Sequence, residues 1–306
     1  TAATVMAQEF AGGLPTRNYA SGTFEDAEAI SGERLAETIL VDRNTCYGCV
    51  VRCKREVATD DKYQVKPELG GPEHETLATF GSYCAVKDLN AVAKANALCN
   101  DYGLDTISAG ATIAWAMECF EDGILTLEDT DRLELRFGDA DAMLQALEAL
   151  AFRRGRLGAL LAEGSARAAA KIGRGSEERL ITVKGSEAPA HMPQVKRSMG
   201  LIYAVNPFGA DHQSSEHDTS YEESSGDRSL GWLAELGLTN PVPATDLGAE
   251  KVKFTLITQY WTSMTDVLNF CQFDWGATWQ LYGPSSAPDA VNAVTGWDTT
   301  VQELMT

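Results

Sequence analysis

The chain has 306 residues, 44% of them hydrophobic, which is enough to bury a sizeable core in one large or two modest domains. Its net charge of −19 and pI near 4.6 exclude nucleic acid and anionic membrane surfaces as natural partners, and no apolar run approaches the ~20 residues that a membrane helix needs. Seven cysteines, odd in number, without a disulfide-scaffold spacing and with no recognisable secretory signal, predict a reducing cytoplasm in which thiols serve as ligands or core residues.

In chain order, the first informative run is NTCYGCVVRCKR, which sets Cys46, Cys49 and Cys53 in a C-x2-C-x3-C pattern. On a helix or helical turn, these three sulfurs project toward one side. Three thiolates are one too many for a redox pair and one short of a cubane, whose fourth ligand is often distant in sequence. Cys271, in DVLNFCQF, is the best candidate for the fourth. Structural zinc is the alternative, but it usually shows two C-x2-C pairs and only one is present. Arg52, Lys54 and Arg55 surround the third cysteine. Positive charge there would stabilise a reduced cluster, and a solvated helix face is the plainer explanation.

Most of the chain beyond Cys53 has helical spacing. DLNAVAKANALCNDYG opens at Asp88 and stops at Gly103, and DTISAGATIAWAMECFEDG ends at Gly123. ADAMLQALEALAFRRG and LGALLAEGSARAAAKIG read as a further pair separated at Gly155, while RLITVKG is one of few strand-like stretches. From Asp211 to Arg228 the composition is that of an exposed, polar, serine-rich loop. A boundary through IGRGSEERL gives two helical domains, residues 1–180 and 181–306. The predicted fold class is mainly α, multihelical and two-domain.

Two short boxes place carboxylates at helix ends. Asp101-Tyr-Gly-Leu-Asp105 sets a tight glycine turn between two helices, and Asp266 shortly precedes Cys271. A carboxylate in such a place accepts paired N–H donors well, and an aminopyrimidine edge of a pterin presents them. The plainer alternative is that Asp105 is a helix cap and Asp101 an exposed charge.

Taken together, the cysteine run, the segment from GPEHETLATFGSYC through CNDYGLDTISAG, and the D-x-L-x-x-C box resemble the aldehyde:ferredoxin oxidoreductase family of tungsten enzymes. GLPTRNYASGTFEDAEAISGE, LAEGSARAAAKIG, KGSEAPAHMP and AVNPFGADH extend the resemblance along nearly the whole chain. It implies a [4Fe–4S] cluster on Cys46, Cys49, Cys53 and Cys271. It also implies a bis-pterin tungsten or molybdenum cofactor (molybdopterin type) held through Asp101, Gly103, Leu104 and Asp105 and through Asp266 and Leu268, with Lys184 nearby. The expected reaction is oxidation of a small aldehyde to a carboxylic acid, electrons passing through the cluster to ferredoxin or a partner iron–sulfur subunit. Homo-oligomerisation is left open. A related family enzyme of low-potential reduction, such as benzoyl-CoA reduction, is the alternative, and so is a non-enzymatic cluster-bearing subunit.

Proton transfer needs its own group, and a carboxylate with a pKa raised by burial can serve. The resemblance puts an active-site glutamate in GPEHET, Glu75 before Glu73, with His212 a further candidate. The plainer alternative is an acidic first turn of a helix. His74, His191 and His217 are expected to be ordinary core or surface histidines. The chain departs from the family in three respects. The β-rich N-terminal domain of members is absent, the chain stops 35 residues after Cys271, and Thr182-Val183 stands where some aldehyde-oxidising relatives have histidine before the VKG run. These departures predict a fragment of a longer polypeptide, its helical domains only.

Overall fold

A computed structural model describes residues 4–276 and 281–306. The fold is mainly helical, as the sequence predicts, and two two-stranded antiparallel ribbons are its only named sheets among the described residues. The chain divides into two compact units after Met192, twelve residues beyond the expected boundary. The reason is local: residues 181–192 are fastened to earlier parts of unit 1. Tyr83 Oη donates to the Ala188 carbonyl (3.0 Å), and Ala190 N–H donates to Glu75 (2.8 Å).

Unit 1 begins with α1 (Thr4–Ala11) and α2 (Gly32–Thr38), then a ribbon of β1 (Leu40–Asn44) and β2 (Lys54–Val57). Next comes α3 (His74–Leu77), which runs into a π-helical turn over Ala78–Ser82. The long pair α4 (Leu89–Tyr102) and α5 (Thr106–Glu121) carries the expected signals. Asp88 accepts from the Asn90 and Ala91 N–H groups, and Gly103 closes α4 in the left-handed region at φ +69°. Buried residues run without a break from Ala109 to Met117 of α5, so neighbours surround that helix. Its Gly110 lies so close to Thr79 that a Cβ would stand 2.7–2.9 Å from Thr79 atoms.

Helix α6 (Ala140–Phe152) matches expectation, but the following predicted helix is two, α7 (Gly155–Leu161) and α8 (Ser165–Ile172). The break is at Gly164, φ +81°. Glu187 explains it. Its Oε1 accepts from Ser165 N–H (2.8 Å) and Ser165 Oγ (2.7 Å), capping a helix that has to start there. Glu187 lies on the second ribbon, β3 (Thr182–Val183) with β4 (Ser186–Glu187).

Unit 2 holds α9 (Arg197–Val205), α10 (Asp227–Glu235), the 19-residue α11 (Ala249–Val267), α12 (Gln272–Trp275), α13 (Ser286–Thr295) and α14 (Val301–Leu304). The segment expected as an exposed loop, 211–228, is only partly that. Asp218 and Tyr221 are fully buried in it, and α10 already starts at Asp227. Asp218 receives Lys251 of α11 as an ion pair and accepts from the N–H and hydroxyl of Ser198 on α9. A fully buried charge needs such partners. Lys251→Met should therefore lower stability by about 3–5 kcal/mol, because it leaves Asp218 buried and uncompensated. Denaturant unfolding of Lys251→Met, Asp218→Leu and the double variant checks this. The double variant is expected to lose less than the sum of the singles.

Candidate active site

The cluster-type cysteines lie in the loop joining β1 to β2, on a hairpin and not on the helical turn that the sequence suggested. The ribbon pairs Asn44 with Lys54, so the loop leaves and re-enters at adjacent points. It folds as a turn in which Cys49 N–H donates to the Cys46 carbonyl (3.2 Å) and Thr45 Oγ1 to the Cys49 carbonyl (2.6 Å). Gly48 sits at φ +69° within that turn. Cys46 is exposed, and Cys49 and Cys53 are partly so. The basic residues beside them are engaged within the hairpin region. Arg52 Nε donates to the Arg43 carbonyl (3.0 Å), and Arg55 pairs with Glu73.

Cys271 belongs to unit 2, where it is the exposed N-cap of α12. It follows the end of α11, in a turn with Asn269 at φ +60°. Asp266 and half-buried Leu268 precede it. Partial burial pushes the Asp266 carboxyl above its usual range, and the charge of Asp211 adds to the effect. Asp211 adjoins His212, whose ring centroid lies 6.1 Å from that of His217. His217 Nε2 is 3.0 Å from the His212 carbonyl oxygen. In unit 2, then, the segment after Cys271 and the His212 loop are in contact, Gln272 Nε2 donating to the Gln213 carbonyl (2.9 Å).

The other cysteines are of a different kind. Cys84, Cys99 and Cys119 are fully buried in the unit 1 core. Burial pushes the Cys84 thiol up strongly and those of Cys99 and Cys119 up to about 12, so all three are protonated hydrophobes.

Asp105 is the N-cap of α5, accepting from Ser108 N–H at 2.7 Å. That is the plainer of its two expected roles. The carboxylate and the neighbouring Gly103 are exposed, while Leu104 is half-buried. Counted back from Gly103-Leu104-Asp105, the first position of a D-x-x-G-L-D box falls on Asn100 and not on Asp101. Asn100 donates to the Leu69 carbonyl (2.6 Å), and Asp101 is exposed. Lys184 is the exposed turn residue of the β3–β4 ribbon, at φ +55°.

The most constructed part of unit 1 surrounds Glu75, on the first turn of α3. Its Oε2 accepts from Ala190 N–H (2.8 Å), and its Oε1 lies 2.9 Å from His191 Nε2. His191 Nδ1 faces the side-chain amide of Gln8 at 3.2 Å. His74 adds a second ring, 5.4 Å from that of His191 between centroids. His74, Glu75 and His191 are only 5%, 12% and 3% exposed. Tyr19, whose phenol is pushed up by burial with the Glu75 charge adding to it, donates to the Pro189 carbonyl. Glu73, by contrast, stands at the N-cap position of α3 without a side-chain capping bond, its side chain 48% exposed. Sequence reasoning passed over His74 and His191 because nothing local marks them. His191 lies 116 residues from Glu75 and 183 from Gln8.

Comparison with known proteins specifies the class of this helical scaffold, which carries thiols on a hairpin and carboxylates at helix ends. The family model for aldehyde ferredoxin oxidoreductase, domains 2 and 3, matches residues 1–306. The tungsten-containing aldehyde ferredoxin oxidoreductase of Thermococcus kodakarensis is 33% identical over 95% of this chain and 44% of its own length. That of Pyrococcus abyssi is 32% identical over the same shares. The chain therefore belongs to the aldehyde ferredoxin oxidoreductase family, and it spans less than half the length of these relatives. In fold it is similar to a chain of the active site complex BamBC of benzoyl coenzyme A reductase in complex with 1,5 dienoyl-CoA. The TM-score is 0.71 at 18% identity, covering all of this chain and 48% of that one. No helix among the described residues is long and apolar enough to cross a membrane.

The cysteine environments predict reactivity. In cluster-free, folded protein near pH 8, an alkylating reagent should label Cys46 and Cys271 within minutes, whereas Cys84, Cys99 and Cys119 should react only after unfolding. Peptide mapping of the labelled sites checks it.

Proposed function

We propose that the protein is a tungsten-dependent oxidoreductase that converts aldehydes to carboxylic acids. One observation supports this reading above the rest: the chain divides its seven cysteines between two environments. The four that correspond to family cluster ligands are exposed or partly exposed in loops, and the other three are sealed in the core. A donor set of four surface thiols fits a [4Fe–4S] cluster on Cys46, Cys49, Cys53 and Cys271. Relatives named as tungsten-containing add the metal, which would be carried by a bis-pterin. Asp105 and Asp266 would each accept pterin N–H groups, and Asp101, Gly103, Leu104, Lys184 and Leu268 are the other residues that the family resemblance assigns to the cofactor.

Such a centre, when bound, would supply the acceptor for the two electrons released as an aldehyde and water become an acid, and a cluster on the four cysteines would supply the one-electron route to a ferredoxin or an iron–sulfur partner. The two protons released with them need a route. Glu75 is suited to move one, because Ala190 N–H fixes its Oε2 while Oε1 faces His191 Nε2 at 2.9 Å. A proton taken at Oε1 thus has an imidazole within hydrogen-bond reach. Glu73 and His212 are the other proton-transfer candidates. Benzoyl-CoA-type reduction remains the rival chemistry. The fold likeness fits either chemistry, since at 18% identity it shows the fold alone, and the core thiols Cys84, Cys99 and Cys119 are poor sources of a metal-bound thiolate.

Anaerobically purified protein assayed with aldehydes and with aryl-CoA thioesters separates the two, and turnover of the thioester alone would overturn the aldehyde reading. Glu75→Gln should lower aldehyde turnover by about 10²–10⁴-fold with tungsten unchanged. Cys271→Ser should lose or convert the cluster, read as iron content and the reduced-state EPR signal. Asp105→Ala should lower pterin occupancy, and it should also cost about 0.5–2 kcal/mol as a lost helix cap.

A further inference from the structure

We propose that His74, Glu75 and His191 form a binding site for a divalent cation of the zinc class. The proposal needs neither the pterin nor the cluster, so it stands or falls apart from the tungsten reading. One imidazole nitrogen from each histidine and one Glu75 oxygen lie within 4.8 Å of one another. In a tetrahedral site with Zn–N of about 2.0–2.1 Å, ligand atoms sit about 3.3 Å apart. Rotamer movements on the order of 1 Å therefore close the three onto one ion. Two histidines and one glutamate are also a donor set of catalytic zinc sites, which leave a fourth position to solvent or substrate.

The surroundings fit ligation as well. A zinc-binding histidine uses one ring nitrogen and has the other oriented by a hydrogen-bond partner. Here Gln8 faces His191 Nδ1 at 3.2 Å, leaving Nε2 as the nitrogen turned to Glu75. With Nε2 on a metal, Nδ1 carries the proton and Gln8 presents its amide oxygen, an orientation that heavy-atom positions allow equally. Ala190 N–H likewise holds Glu75 by Oε2 and leaves Oε1 turned inward. A plain Glu75–His191 hydrogen bond accounts for two of these groups. A cation brings in the second imidazole as well, 5% exposed and 5.4 Å from the first. Two imidazoles and a carboxylate withdrawn from water together are stabilised by a cation that all three can bind.

Where Glu75 also moves protons, the two roles exclude each other at any instant, because a metal-bound carboxylate is a weak base. Micromolar Zn²⁺ should then inhibit aldehyde turnover in wild type.

The test uses the anaerobically purified protein with its tungsten and iron in place. It is dialysed against micromolar Zn²⁺ and analysed by mass spectrometry and zinc-edge X-ray absorption. The expected result is one zinc per chain with nitrogen and oxygen ligands only. His74→Gln and His191→Gln should each weaken zinc affinity at least 100-fold, and Gln8→Leu by about 10–100-fold, with tungsten and iron contents unchanged. Substoichiometric zinc in wild type, sulfur in its coordination shell, or zinc retained undiminished by His191→Gln would each overturn the site. If the histidine variants do not fold, the wild-type absorption spectrum decides alone, imidazole scattering supporting the site and sulfur refuting it. Failure of zinc to bind leaves the Glu75→Gln turnover result untouched, so the two readings are separable.

Discussion

The placement of α5 in the middle of unit 1 is the constraint on which that unit's chemistry depends. A helix buried from Ala109 to Met117 cannot carry large side chains all round, and ISAGATIAWAM supplies small ones where neighbours come closest. Gly110 admits the backbone of Thr79, and the Thr79 hydroxyl donates to the Glu75 carbonyl (2.9 Å), one turn back. Two residues along α5, Thr112 donates to Glu187 at 3.3 Å, and Glu187 lies four residues before His191. One helix thus sets the heights of both chain segments that meet at Glu75. A larger residue at 110 would lift α3 and with it the carboxylate.

A second consequence concerns Glu187, whose Oε1 accepts three hydrogen bonds while its backbone pairs in the ribbon. It caps α8, holds the end of the short β3–β4 ribbon and accepts from α5. Two-residue strands have little stability of their own, so the ribbon's position comes from these contacts and from Tyr83 on Ala188. Unit 2 has a comparable anchor in Asp218, which ties α9 and α11 through Ser198 and Lys251. In both units an acidic residue in a weakly structured stretch is drawn inside because helix ends or lysine must be satisfied there. That explains why 181–192 belongs with unit 1 and why 211–228 is not simply a solvated loop.

The helices were legible because their signals are local: Asp88 and Asp105 as caps and Gly103 as a stop. The break at Gly164 was not legible, since the carboxylate that starts α8 comes from 22 residues downstream. The cysteine spacing pointed to a common side for the sulfurs but could not tell a helical turn from a hairpin loop, since the pairing of Asn44 with Lys54 is a contact across the loop. The surroundings of Glu75 were the least legible. Gln8, Ala190 and His191 converge on it from the first helix and the last loop of unit 1, and histidine carries no periodicity to announce such a meeting.

The anchoring of Glu75 bears on what this carboxylate can do. A freely rotating glutamate distributes a proton between two equivalent oxygens and solvent. Here Ala190 N–H claims Oε2, and Oε1 is turned to the His191 imidazole with Gln8 behind it. The carboxylate is thereby directional: whatever binds or protonates it does so at Oε1, on the side where His74 and His191 stand. Proton transfer and cation binding both draw on that one lone-pair direction. Of the two glutamates in this segment, only Glu75 has this fixed aim, since Glu73 is half exposed and already paired with Arg55.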